Sequence, residues 1–281
     1  MKLILSIIIS AVTTFSFAQK YQLDYSFGQF KNASSFYINP AGIIYVSDSN
    51  TNEIFSFDTL GNVLKEIGGY GWRESAFDEP VDVFADALKV FVSDKNNHRI
   101  QRFDKNLNFN FQISTRESEN EQESFGYPLS AVMSNQGDIY ILDSENSRIV
   151  KFDIFGNFIQ NFGSYDYGNY ALSKPKQLAI SGRNNIYVID GSQVIIFDQY
   201  GNGSGKISGV EDFKSIRIIF EWMTVSMGKK IFLSNLNSPE LSLKEIALDS
   251  TVKVPEIISS LIFNDKLYIL SKEEILVFKK I

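Results

Sequence analysis

Few side chains in this sequence are suited to catalysis. The chain has no Cys and one His, which excludes thiol chemistry and leaves a single imidazole, that of His98. We expect His98, in a turn-like segment, to be exposed to solvent rather than catalytic. A calcium ion would need several converging carboxylate and amide oxygens, for which the candidates are Asp82 with Glu221 or Glu256. Because Gly-x-Ser-x-Gly is also absent, we predict no catalytic residue.

Aromatic side chains in two glycine-rich segments, 68–77 and 163–170, are better suited to binding. Tyr and Trp offer large contact areas at low entropic cost, to a protein, a peptide or a sugar. The alternative is that such aromatics fold back into the core, which we expect for Phe77. An acidic segment at 115–127 is expected to be solvated. The candidate ligand-binding residues of these segments are Trp72, Arg73, Tyr165, Tyr167 and Tyr170.

The elements that must position these residues repeat along the chain. One five-residue pattern, apolar-aromatic-apolar-x-Asp, predicts a buried strand followed by a turn. Its four clear copies end at Asp48, Asp94, Asp143 and Asp190, and two weaker copies end at Asn235 and Ser271. We expect the four aspartates to cap the turn that follows, and Arg99 and Arg148 to pair with such an Asp.

Three further strands are predicted in each period of about 45 residues. A second apolar segment ends in Phe-Asp and leads into a turn such as 58–62 or 153–157, which contains Gly-Asn. One strand precedes the five-residue pattern and another follows the glycine turn. Four short strands per period predict an all-β, six-bladed β-propeller. The sixth unit lacks its last strand, so we expect the N-terminal strand 21–27 to complete that blade by pairing with 275–279.

The first 18 residues have the features of a secretory signal peptide. A basic start, a short apolar stretch and small residues at Ser16 and Ala18 predict cleavage before Gln19. The propeller would then occupy 19–281, in the periplasm or outside the cell. The net charge is −6, and −7 once Lys2 is removed, which disfavours nucleic acid and anionic membranes as partners.

The units resemble NHL repeats, in which an Ile-Tyr-Val-x-Asp strand is followed by Asn-x-Arg-Ile, Phe-Asp and Gly-Asn. The third unit matches at 139–143, 146–149, 152–153 and 156–157, and the second at 94, 97–100 and 103–104. The first has Glu53 where Arg is usual, the fourth lacks Asn-x-Arg, and the fifth and sixth depart further. The resemblance implies a six-bladed propeller but leaves the function open.

Propellers of this type also include enzymes. A resemblance to calcium-dependent lactonases implies a site at the mouth of the central channel, whereas the peptide-amidating lyases need several His ligands that this chain lacks. Two positions after each predicted inner-strand Pro site, the mouth is expected to contain Ser35, Asp82, Ser130, Gln177, Trp222 and Ile258. We therefore add Asp82, Gln177 and Trp222 as candidate ligand-binding residues. The preferred function is non-catalytic recognition without a cofactor; the alternative is a lactonase or esterase that uses calcium.

Overall fold

The computed structural model describes residues 20–239, 241–249 and 252–281. The predicted signal peptide and its cleavage site lie outside these residues. The regular secondary structure of the described chain is β-strand except for one single-turn 3-10 helix at Gly168–Tyr170. None of the helical structure in this part of the chain has the length and apolar character needed to cross a bilayer.

Six antiparallel sheets form the blades of a propeller, as predicted, and the first strand of each blade lines the central channel. Blade one contains β2 (Ala33–Ile38), β3 (Ile44–Asp48), β4 (Glu53–Phe57) and β5 (Val63–Gly68), and blade two β6 (Pro80–Ala85), β7 (Lys89–Asp94), β8 (Arg99–Asp104) and β9 (Phe109–Ile113). Blade three contains β10 (Ser130–Met133), β11 (Ile139–Asp143), β12 (Arg148–Phe152) and β13 (Phe158–Phe162), and blade four β14 (Pro175–Ile180), β15 (Ile186–Asp190), β16 (Gln193–Phe197) and β17 (Gly203–Ser208).

The last two blades are less regular. Blade five contains β18 (Phe213–Ile219), β19 (Trp222–Met227), β20 (Lys230–Asn235) and the short β21 (Lys244–Glu245), and blade six β23 (Ser259–Phe263), β24 (Lys266–Leu270), β25 (Ile275–Lys280) and the N-terminal β1 (Lys20–Phe27). The two-residue β22 (Ala247–Leu248) pairs in parallel with the start of β1.

The burial of each strand follows from its place in the blade. The second strand of each blade is packed on both faces by neighbouring blades, so β3 and β11 are buried at every position, and each begins with an apolar-aromatic-apolar run. Outer strands such as β5 alternate between exposed and half-buried residues, because only one face meets a neighbouring blade. The aromatic-rich core is therefore a ring between the blades.

Ring closure by the N-terminal strand is confirmed. β1 runs antiparallel to β25, with Phe27 opposite Ile275 and Tyr21 opposite Lys280. Tyr21 is 2% exposed, whereas the rest of β1 alternates between exposed and half-buried residues, as expected of the outermost strand of a blade.

The strand assignment of blade five was wrong in the sequence-based prediction. The segment ending at Asn235, expected to be the second strand, is the third strand β20, and the second strand is β19. The segment 245–249, at which the predicted repeat would place a third strand, contributes instead to β21 and β22. The error arose because β19, the true second strand, ends in Met227 rather than Asp. β20 by chance resembles the five-residue pattern and lies about one repeat period after the previous copy.

The Phe-Asp turns share one hydrogen-bonding arrangement. The carboxylate of Asp58 accepts bonds from the backbone N–H groups of Leu60 and Asn62 and from the side chain of Asn62. The side-chain bond from Asn62 lowers the pKa of Asp58. Gly61 takes the positive φ of 88°, and a Cβ there would lie 2.5 Å from the ring of Phe27, so this turn accepts only glycine.

The strand-ending aspartates act in two ways. Asp48 and Asp143 cap the following turn as predicted, since they accept bonds from its backbone N–H groups. Asp94 reaches the turn only through the side chain of Asn97, and Asp190 binds the backbone N–H groups of Ser173 and Lys174 in the preceding loop. These aspartates therefore fasten the loop that enters their blade as well as, or instead of, the turn.

Candidate functional site

The long connections between blades lie on one face of the ring, together with the turns from the second to the third strand of each blade. We call this the loop face and define it by residues 69–79, 114–129 and 163–174. The opposite turn face carries the short Phe-Asp turns at 58–62, 104–108, 153–157 and 198–202. The first five candidate ligand-binding residues all belong to the loop face.

A buried arginine holds the first of these loops. Arg99, which is 5% exposed, binds Asp94 through Nε at 2.7 Å, confirming the predicted pair. Its Nη1 donates to the carbonyl oxygen of Trp72 at 2.7 Å, and its Nη2 to those of Arg73 and Ala76. Burial raises the pKa of Asp94 while the bonds from Asp78 N, Asn97 and Arg99 oppose that rise. One guanidinium thus fixes three successive parts of the loop.

The same device recurs in blade three. Arg148 binds Asp143 at 3.2 Å, and its Nη2 donates to the carbonyl oxygens of Glu121 and Ser124. The predicted pair is confirmed here too. The position holds Glu53 in blade one and Gln193 in blade four, so among the first four blades arginine anchors the loop in the second and third.

Four of the five loop-face candidates present side chains to solvent. Trp72 is 68% exposed and Tyr165 is 92% exposed, while Tyr167 is 36% exposed. Arg73 is also exposed, and its carbonyl oxygen accepts a bond from Arg99. The neighbouring Tyr70, which the sequence analysis did not single out, is 71% exposed.

Tyr170 is placed differently. It is half-buried and packs on Phe197, with 6.3 Å between ring centroids. A Cβ on Gly203 would lie 2.2 Å from its ring, so the absence of a side chain at 203 makes room for this tyrosine. Phe77 is fully buried against Phe103, as expected. Tyr170 and Phe77 thus pack against core rings beneath their loops and hold the loops in place.

His98 is half-buried, so the expected solvent exposure was wrong. Its Nδ1 accepts bonds from Arg116 and from the backbone N–H of Tyr127, and the Tyr127 ring meets it edge-on at 4.2 Å. Burial, followed by the charge of Arg116, lowers the pKa of His98. The imidazole therefore links the loops of blades two and three as a neutral acceptor.

The central channel is closed by a buried polar network centred on Asp82. This carboxylate is 2% exposed and accepts bonds from Ser35 at 2.7 Å, Gln177 at 3.0 Å and Ser130. Arg217, also 2% exposed, pairs with it at 2.7 Å. Asp82 and Gln177 were proposed from sequence as ligand contacts. In the structure they are hydrogen-bonded to each other and to residues of neighbouring strands.

Trp222 does not lie at the channel mouth, so this expected position was wrong. It begins β19 beside the turn between the first two strands of blade five, on the turn face, and pairs with Ile219 and Asn235. Strand register places Ser215 and Ser259 at the positions expected for Trp222 and Ile258. The misplacement follows directly from the shifted strand assignment in blade five.

Arg217 was missed by the sequence analysis. The available signal was a single arginine between two isoleucines, Ile216 and Ile218, in a segment otherwise suited to an inner strand. A charge in such a strand must point into the channel and find a partner. The only acid among the inner-strand positions named above is Asp82.

The channel residues do not fit a calcium site. Calcium requires several free oxygen ligands, and within the described residues no three acidic or histidine side chains converge suitably. The one central carboxylate, Asp82, already faces the guanidinium of Arg217. A divalent cation would have to displace this internal positive charge.

Comparison with known sequences matches the NHL repeat family at residues 125–152. The protein named Protein brain tumor of Drosophila melanogaster is 34% identical over 142 residues, covering 49% of this chain and 13% of that protein. B-box type zinc finger protein ncl-1 of Caenorhabditis elegans is 32% identical over 147 residues, covering 51% and 17%. The match therefore spans less than a fifth of either relative.

Solved structures share the fold across nearly the whole chain. A streptogramin B lyase superposes with a TM-score of 0.64 at 12% identity, covering 92% of this chain and 97% of the lyase. A gluconolactonase from Xanthomonas campestris gives 0.65 at 12% identity, covering 90% and 88%. The WD40 repeats of RRP9 give 0.64 at 8% identity, covering 90% and 96%. At these identities the likeness establishes the fold alone.

Proposed function

Because this chain is an NHL-repeat six-bladed propeller, we propose that it is a non-catalytic recognition module that binds a protein partner on its loop face. The observation that carries the proposal is the anchoring of an exposed aromatic loop by a buried arginine. Arg99 holds the backbone on both sides of Arg73, and the Trp72 side chain remains 68% exposed.

Rigid presentation is what makes this loop suited to binding. A flexible loop loses conformational entropy on binding, which weakens the complex, whereas a preorganised loop does not. The loop is already ordered before binding by three carbonyl bonds to one guanidinium and by the Asn97 bond to the carbonyl of Gly71. It therefore has less conformational entropy to lose when a partner binds. Exposed Trp and Tyr beside Arg are the residue types that contribute most at protein interfaces.

The turn face provides the contrast. Two of its exposed aromatics, Phe155 and Tyr200, each occupy a two-residue tip of a Phe-Asp turn, and a third, Phe220, lies in the turn between the first two strands of blade five. These tips are separated by blade and have short, uniform loops around them. On the loop face, by contrast, one loop carries both Tyr165 and Tyr167 and another carries both Tyr70 and Trp72, so each of these loops offers two exposed aromatic side chains to a partner.

The loop-face proposal predicts a selective loss of partner capture. The variant Trp72→Ala/Tyr167→Ala should retain at most about a tenth of the wild-type capture of its partner, because each truncated aromatic at an interface centre costs about 1–2 kcal/mol. The measurement is quantitative mass spectrometry of proteins retained by the immobilised propeller, followed by titration of the purified partner.

The matched control is Phe155→Ala/Tyr200→Ala, which removes two exposed aromatics from the turn face. It should capture the partner as wild type does. Equal capture by all three proteins, or loss only in the turn-face variant, would contradict the proposal. If the propeller retains a glycan instead of a protein, and the Trp72→Ala/Tyr167→Ala variant does not, the loop face is still the binding site but the partner is a glycan.

We also propose that the chain is exported before it functions. The proposal is supported by the basic start, the short apolar stretch and the small residues Ser16 and Ala18. Expression in its cell of origin should yield a mature form beginning at Gln19, identified by intact-mass spectrometry. An intact Met1 on the exported protein would contradict the cleavage site, and retention inside the cell would contradict export.

A further inference from the structure

An open cleft lies between blade six and blade one. It has a volume of about 960 Å³ and is walled by the end of β1 on one side and by β4 and β5 on the other. Its aromatic residues pack on one another, with Phe30 and Phe55 at 5.7 Å, Phe30 and Phe57 at 5.9 Å, and Phe27 and Phe57 at 5.4 Å between centroids.

The cleft exists because one between-blade loop is short. In three blades a buried Phe from the entering loop packs on the Phe that precedes the turn aspartate: Phe30 on Phe57, Phe77 on Phe103, and Phe125 on Phe152. Two residues, 28 and 29, separate β1 from Phe30. Eight residues separate β5 from Phe77, and eleven separate β9 from Phe125.

In blade two the additional loop residues occupy the space that is open in blade one. There the loop covers the third strand, and its polar groups bond to Arg99 and Gln101. The equivalent residues of blade one are Glu53 and Phe55. Where blade two has Arg99 and Gln101, which bind loop carbonyls, blade one has the carboxylate of Glu53 and the apolar ring of Phe55. Blade one also lacks the long loop.

The edges of the cleft are predominantly acidic. Glu66 and Glu273 are exposed and Glu274 is half-exposed, against one basic side chain, Lys31. Val63, on the β5 side, is 60% exposed. An apolar floor with an acidic rim complements a segment that carries an aromatic or large aliphatic residue next to lysine or arginine.

We propose that this cleft is a second docking site, which binds an extended peptide segment of a partner in the place of the missing loop. Large apolar side chains of the segment cover Phe27, Phe55 and Val63, and its basic residues pair with Glu66 and Glu273. The site is independent of the aromatic residues of the loop face, so each can be tested without the other.

The test is selection of random decapeptides on the immobilised propeller, with counter-selection against a loop-filled variant. In that variant, residues 69–76 of the blade-two loop replace Gly28 and Gln29, and Glu53→Arg/Phe55→Gln supply the two side chains that hold the loop in blade two. Peptides that bind wild type and not the loop-filled variant should be enriched in aromatic residues flanked by Lys or Arg. A thermal melt establishes that the variant is folded.

The strongest peptide is then titrated against Glu66→Lys/Glu273→Lys, whose two substitutions lie at exposed rim positions. We expect its affinity to fall roughly tenfold or more, while Glu117→Lys/Glu119→Lys, with the same change of charge on another loop, binds as wild type. The absence of peptides sensitive to the loop filling, or selection of acidic peptides, would overturn the proposal, as would equal affinity for both charge variants.

Discussion

Replacement of Arg217 by Met is expected to lower the free energy of unfolding by about 3–5 kcal/mol, the cost of leaving one partner of a buried ion pair unpaired. Asp82 would remain 2% exposed with no positive charge beside it. Its bonds from Ser35, Ser130 and Gln177 compensate only part of the lost attraction. Urea unfolding followed by tryptophan fluorescence measures the difference.

A second substitution distinguishes the charge effect from the loss of packing. Asp82→Asn/Arg217→Met removes both charges and retains an amide, whose oxygen can accept from Ser35 and Gln177 while its NH2 group donates to the Ser130 hydroxyl. It should be more stable than Arg217→Met alone by at least about 1–2 kcal/mol, because contacting residues are not additive. If the double variant loses as much unfolding free energy as Asp82→Asn and Arg217→Met lose together as single variants, the channel network is held by shape and hydrogen bonding rather than by charge.

The position of this pair explains how the channel is closed. Asp82 belongs to blade two and Arg217 to blade five, and Gln177 of blade four bonds to both Asp82 and the backbone of Ile216. A bond from Arg217 to Ser35 adds blade one. With Ser130 of blade three, which also donates to Asp82, this buried cluster ties blades one to five together across the axis.

The repeat pattern predicted the fold well wherever strand and turn signals agreed. Between Asp48 and Asp190 a buried apolar strand and a Phe-Asp turn recur together, so an error in one signal is corrected by the other. In blade five both signals fade, and a chance similarity in β20 displaced the assignment by one strand. Trp222 was consequently predicted at the wrong end of the ring.

Side-chain contacts across blades were harder to predict. The pairs Arg99–Asp94 and Arg148–Asp143 are local, five residues apart, and follow from the repeat alone. The Asp82–Arg217 pair joins residues 135 positions apart, and its prediction requires the register of every intervening blade. The cleft beside Phe30 depends on a loop that is absent, which no residue type signals.

The structural neighbours do not decide between binding and catalysis. A lyase, a lactonase and a WD40 protein all superpose on this chain at 12% identity or less, so the scaffold tolerates each role. The choice depends on side chains. Here the central carboxylate is neutralised internally by Arg217, whereas the exposed aromatic loop is fixed by Arg99. Binding on the loop face is the function those two arrangements favour.

Deletion of residues 20–27 is expected to abolish the monomeric fold. The lost strand β1 contributes six paired positions to β25, and its removal exposes the paired edge of that strand together with the aromatic wall at Phe57. An unpaired edge beside a large apolar surface promotes association between chains. Size-exclusion chromatography with light scattering should show aggregates in place of the monomer.

A circular permutant separates loss of the strand from loss of the native N-terminus. The end of the chain adjoins its described beginning, since the backbone N–H of Ile281 donates to the carbonyl of Lys20 at 3.0 Å. A short glycine linker can therefore join 281 to 20, with new termini opened at the exposed turn between Phe155 and Gly156. This permutant retains the closing strand and should be monomeric with a melting temperature close to that of wild type. A deletion protein that remains monomeric and melts like the permutant would show that the ring is stable without β1, because the other five blades and the channel cluster would then suffice to hold it.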